Sequence, residues 1–152
     1  MGFIDGREDV MDALEGTMKH ILKDVKEKCP EELKEYGVDV EIPEKFPRIR
    51  FSEALEILKK EFGKEMEGND IDPEGERLIC EWAKKEKGSD FIFLTNYPWM
   101  IRPMYIMPDP ENSKITLGFD LLYRGVEIAS GGQRIHDYGQ LVENMKKKNL
   151  NP

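Results

Sequence analysis

Three stretches with apolar residues at helical spacing come before residue 88, and most of the β-prone runs come after it. Val10, Leu14, Met18, Ile21, Leu22 and Val25 recur on one helical face, and Asp5 with Glu8 three residues later forms an expected capping box. This predicts an amphipathic helix to about Lys28, broken by Pro30 and the Gly37 region. "EIPEKFPRIRF" reads as a connector with a brief strand at best. Ser52 is the expected cap of a second helix over "EALEILKKEFG", and "KEMEGND" is a polar loop. Asp72 and Pro73 open a third helix, closed by Gly88. Then "DFIFLTNY", "RPMYIMP", "ITLGFDLLY" and "VEIAS" alternate with turn signals, and "YGQLVENMKK" begins a last helix. The expected class is α+β, an antiparallel sheet flanked by helices. Residues 1–152 form one unit with a helical part over about 5–88, a β-meander over about 89–136 and a C-terminal helix over about 137–148.

Composition narrows the function classes. No apolar run approaches the roughly 20 residues of a membrane helix, and charged residues follow Met1 too closely for a secretory signal. A cytoplasmic location is expected. Cys29 and Cys80 lack metal-ligand spacing and read as two reduced thiols. A net charge of -8 opposes nonspecific attraction to polyphosphates over most of the surface.

The chemistry concentrates in "FDLLYRGVEIASGGQRIHD", residues 119–137. In an unbroken strand Asp120 and Glu127 would face opposite sides, since an odd number of residues separates them. A bulge or tight bend at Arg124-Gly125 would turn both carboxylates to one face, the arrangement a hard cation needs. Gly131 and Gly132 would let the backbone pass close to a ligand, and Arg134 offers a rigid donor fork for a carboxylate or phosphate. On residue types alone the stretch reads first as an edge strand with a solvated face, and the local pattern names no reaction.

Together with "FLTNYPWMIRPMYIMPDPENSK" before it, "LVENMKKKNLNP" after it, and the earlier "DVMDALEGTMKHIL" and "FPRIRFSEALEIL", the stretch resembles the catalytic domain of archaeal-type aspartyl-tRNA synthetases. The resemblance implies a class II synthetase fold that activates L-aspartate with ATP and Mg²⁺ and passes it to tRNA, as a homodimer when complete. It further implies that Glu127 contacts ATP and ligates Mg²⁺, that Ser130 contacts the metal and the aspartate, and that Arg134 pairs with the aspartate side chain. Asp120 would assist the metal. The arginines of motif 2 and motif 3, the anticodon-binding barrel and the motif 1 dimer helix have no counterpart, so the resemblance covers a segment between motif 2 and motif 3. Two other readings stand beside it: a paralogue making asparagine from the same adenylate, and a non-catalytic interaction module.

Other residues carry simpler explanations. His20 lies on the charged side of a helix, and His136 has no Cys or second His at ligand spacing. Trp99, Met100, Met104 and Met107 read as core or covered faces, and Lys146 to Lys148 as a helix-end charge cluster.

Overall fold

Phe91–Thr95 is buried at every position, as a central strand covered on both faces must be. The computed structural model describes residues 1–66 and 70–151. In chain order these form α1 (Arg7–Lys28), α2 (Pro30–Glu35), β1 (Arg48–Arg50), α3 (Phe51–Phe62), α4 (Pro73–Lys87), β2 (Phe91–Thr95), a 3₁₀ turn (Trp99–Ile101), β3 (Gly118–Tyr123), β4 (Val126–Gly132) and α5 (Tyr138–Lys147). The sheet order is β1-β2-β3-β4. Strands β2, β3 and β4 are antiparallel neighbours, and the short β1 adds a parallel edge beside β2.

Alternation along the strands divides the core in two. Ile92, Leu94 and Leu122 point toward α3 and α4, where they meet Leu58, Ile79 and Ala83. Phe91, Phe93, Phe119 and Leu121 point the other way and pack with Met11 and Leu22 of α1. Phe46 stacks on Phe91 at 4.2 Å between centroids, and Phe93 meets Phe119 edge-on at 5.8 Å. Glu15 is buried in α1 and answered by Lys19 at 2.6 Å and Arg48 at 3.3 Å.

Helix ends follow the expected chemistry at α4, where Asp72 accepts from the Gly75 amide at 2.7 Å and Gly88 closes the helix in the left-handed region. Elsewhere the caps shift. Gly6, not Asp5, is the N-cap of α1, and Asp9 takes the reciprocal role, accepting from the amides of Asp5 at 2.8 Å and Gly6 at 3.5 Å. Ser52 is inside α3, whose N-cap is Arg50 with no side-chain cap, because strand β1 feeds straight into the helix. Pro30 does more than break a helix: at the first position of α2 its fixed φ starts a new one. Part of the "KEMEGND" loop, residues 67–69, lies outside the described residues.

The "RPMYIMP" run is not a strand. Two prolines remove ladder donors, leaving isolated bridges such as Ile106 with Arg134 and Pro108 with Thr116. The segment still lies against the sheet's end, since Met107 donates to Gln133 O at 2.8 Å and Ile135 to Tyr105 O at 3.0 Å. Ile106 and Met107 are buried, Trp99 and Met104 half-buried, and Met100 exposed. Lys148 fixes the 3₁₀ turn from the end of α5, donating to the carbonyls of Trp99 at 2.7 Å and Met100 at 2.9 Å.

Candidate active site

The site begins with a two-residue turn. Arg124 and Gly125 both take positive φ, 49° and 86°, as a tight hairpin matching the strand twist requires. Glycine is needed at the second position on two grounds, because a Cβ there would also stand 2.6 Å from Arg77 Cγ. This turn pairs Tyr123 with Val126 and Leu122 with Glu127. Asp120, two residues before Leu122, therefore shares a sheet face with Glu127.

The bulge lies elsewhere than at Arg124-Gly125. The register shifts between Leu121 and Leu122, so that Leu121 pairs with Ala129 while Leu122 pairs with Glu127, and Ile128 is the extra residue. In an unbroken ladder, with Ile128 paired to Leu121, Ser130 would fall opposite Phe119 and face α1. With the bulge Ser130 pairs with Asp120. Turn and bulge together thus put Asp120, Glu127 and Ser130 on one face, the side that carries α3 and α4.

Charge on that face is concentrated. Asp120 is buried and ion-paired with Arg102, yet its Oδ1 has no partner among the described residues. The Arg102 guanidinium carbon lies 3.7 Å from the centre of the Tyr97 ring, and its Nε is buried without an acceptor among the described residues. Partial burial first, and the Asp120 carboxylate second, push Glu127 above the usual carboxylate range, while a hydrogen bond from Ser130 pulls it back. Glu76 of α4 is raised in the same way, by burial and then by Glu127 and Asp120. Burial and the neighbouring Asp120 likewise raise the Tyr97 phenol.

Beside this face is a cavity of about 240 Å³ lined by Ser130, Gly131, Gly132, Arg134, Arg102 and Tyr105. Arg134 is exposed, with its guanidinium 3.9 Å over the Tyr105 ring. Glu127 is not part of the lining and stands nearer the hairpin turn. The two glycines are demanded by the protein itself: a Cβ on Gly131 would come 2.6 Å from Phe119 Cζ, and one on Gly132 3.0 Å from the Gly118 Cα. Among the described residues no three His, Cys, Asp or Glu side chains are grouped to hold a metal without help.

Sequence reasoning missed Arg102, Glu76 and Tyr97. Arg102 reaches Asp120 across 18 positions, and only the packing of the proline-rich segment brings it there. An arginine held in front of a proline in an otherwise apolar run was the available signal. His20 and His136 are exposed.

Comparison with known proteins fits this arrangement. Over 153 residues the chain is 44% identical to the aspartate–tRNA(Asp/Asn) ligase of Aeropyrum pernix, covering 99% of this chain and 35% of that protein. It is 44% identical over 154 residues to the aspartate–tRNA(Asp) ligase of Pyrococcus abyssi, covering 100% of this chain and 35% of that protein. The chain thus spans little more than a third of these relatives. The aspartyl-tRNA synthetase from Entamoeba histolytica superposes with a TM-score of 0.92 at 30% identity, over 100% of this chain and 32% of that one. The asparaginyl-tRNA synthetase from Pyrococcus horikoshii gives 0.86 at 25% identity, over 99% of this chain and 36% of that one. All 152 residues match the family described as tRNA synthetases class II (D, K and N), so the chain belongs to the class II tRNA synthetases.

Proposed function

We propose that the chain is the amino-acid and metal-binding part of an aspartate–tRNA ligase, which activates L-aspartate with ATP to aspartyl-adenylate and transfers it to tRNA. The observation that carries this reading is the shared face of Asp120, Glu127 and Ser130 next to a small cavity that Arg134 lines. The tRNA, the second subunit of a homodimer and a cytoplasmic setting belong to the complete ligase.

Adenylate formation drives the anionic α-carboxylate of aspartate against the anionic α-phosphate of ATP, with pyrophosphate leaving. The protein's task is therefore positioning and charge neutralisation rather than acid or base chemistry. Arg134 receives the aspartate side chain, because its fork meets a carboxylate bidentately but would confront an asparagine amide with another donor. The Ser130 hydroxyl faces the amino acid, and the glycine backbone beside it forms the cavity floor. Glu127 takes the ATP side.

Magnesium fits the donors present. Mg²⁺ takes few protein ligands and keeps waters and phosphate oxygens, so Glu127 and Ser130 suffice, with the unpartnered Asp120 Oδ1 close by. When bound it would neutralise phosphate charge. Burial first and repulsion from Asp120 second raise Glu127, and a cation at this place would relieve the repulsion.

The test is aspartate-dependent pyrophosphate exchange into ATP by the chain joined to its flanking segments. Arg134→Lys is expected to raise the aspartate KM roughly tenfold or more while leaving the ATP KM near its original value. Equal losses for both substrates would count against the assignment.

A further inference from the structure

The cavity holds a second guanidinium that the reading above leaves unused. We propose that Arg102 is a further substrate-binding residue, donating to a carboxylate of the bound acidic amino acid alongside Arg134; the inference rests on the aspartate reading of this cavity.

Four observations lead there. Arg102 and Arg134 line the same cavity of about 240 Å³. That volume is below the roughly 300–1,000 Å³ of pockets for drug-sized ligands and suits a single amino acid better than a nucleotide. Each guanidinium is laid on a tyrosine ring, Arg102 at 3.7 Å from Tyr97 and Arg134 at 3.9 Å from Tyr105. Arg102, held by Asp120 as well as by the ring, is positioned before a ligand arrives, which lowers the ordering cost of binding. Asp120 engages only Nη2 of Arg102, and the buried Nε has no acceptor among the described residues. A buried donor without a partner calls for one, and a carboxylate of the amino acid supplies it.

The position is also set by the backbone. Arg102 packs against Gly118, where a Cβ would make ordinary contact with the arginine Nε at 3.6 Å and crowd Thr116 Oγ1 at 3.1 Å. The 3₁₀ turn just before Arg102 is held by Lys148. Arg102 is therefore a fixed donor rather than a surface arginine, with a side chain only 16% exposed. The competing account is that Arg102 serves only as the counter-ion of Asp120. A double substitution separates the two.

The experiment is an NMR titration of the chain with L-aspartate, following the Nε–Hε signals of Arg102 and Arg134. Both are expected to move along one saturation curve. Movement of Arg134 with a stationary Arg102 would overturn the inference and leave the aspartate reading intact. If neither moves, the aspartate reading of the cavity fails and takes the inference with it. The second arm measures aspartate affinity at the Arg134 signal in Arg102→Met and in Arg102→Met with Asp120→Asn. Affinity should fall roughly tenfold or more in both, the scale of one lost charge-assisted hydrogen bond. Recovery in the double variant would make Arg102 a counter-ion alone and overturn the inference. Should either variant fail to fold, the titration of the unsubstituted chain still decides.

Discussion

Cys80 sits on α4 with 5% of its surface exposed, and burial pushes its thiol up from 9.0 to about 11 against a backbone donor at Gly125 that favours the thiolate. The unfolded chain therefore loses this proton first as pH rises. Stability contributed by the neutral thiol is complete below pH 9 and is lost between 9.0 and about 11. Urea midpoints measured across that window should fall by the equivalent of up to about 3 kcal/mol, and Cys80→Ala should flatten that part of the curve. An unchanged slope in the variant would show that other groups cause the loss. At neutral pH a thiol reagent should titrate Cys29 quickly and Cys80 only on unfolding, since Cys29 is half-buried and Cys80 is not reached. Metal-ligand spacing is missing and charged residues follow Met1 closely, which together point to two reduced thiols, and Cys29 and Cys80 are free. The role of Arg102 was not legible, because its contacts with Tyr97 and Asp120 depend on how the Trp99–Ile101 turn docks.

The β3–β4 hairpin shows what a sequence pattern can and cannot give at the scale of an element. Glycine after arginine between two β-prone runs signals a turn, and the parity of Asp120 and Glu127 follows once that turn has two residues. The bulge at Ile128 has no such signal, since isoleucine is a strand former and the extra residue shows only when both edges of the pairing are known. Two predictions belong here. Gly125→Ala should destabilise the chain by about 1–3 kcal/mol, because φ stays at 86° and the new methyl meets Arg77. A denaturation midpoint equal to the parent's would mean that Arg77 and the turn rearrange freely. Deleting Ile128 removes the bulge but keeps Glu127 opposite Leu122, Ala129 opposite Leu121 and Ser130 opposite Asp120, so the three polar side chains should stay on one face. Mapped by NMR, such a variant should retain its fold and the response of the cavity to L-aspartate. Loss of that response would show that the local bend of the bulge, and not only the pairing, shapes the cavity. The same logic explains the failed strand at "RPMYIMP": its residues are β-prone, but Pro103 and Pro108 remove two amide donors.

At the scale of the molecule, α1, α3, α4, α5 and the strands β2, β3 and β4 were readable because apolar periodicity and turn or capping residues agree over long stretches, as at α4 with Asp72, Pro73 and Gly88. The parallel edge β1 was not, because three residues carry too little periodicity to show a partner. The matching ligases are nearly three times longer than this chain, and the family resemblance implies that the arginines set against the α-phosphate and the far end of ATP lie in the part it does not span. The chain by itself is therefore expected to bind L-aspartate or Mg²⁺ weakly and to form no measurable aspartyl-adenylate. Each missing charge-stabilising donor lowers the rate by roughly 10²- to 10³-fold, by analogy with oxyanion donors, and two such losses multiply. Purified chain should show no aspartate-dependent pyrophosphate exchange, and exchange should appear when the chain is completed with the remaining segments of a matching ligase. Robust exchange by the chain alone would show that its own residues complete the ATP site. Absence of exchange in both cases would favour a non-catalytic interaction module, and would leave the geometry of Asp120, Glu127 and Ser130 as a relic of the family's site.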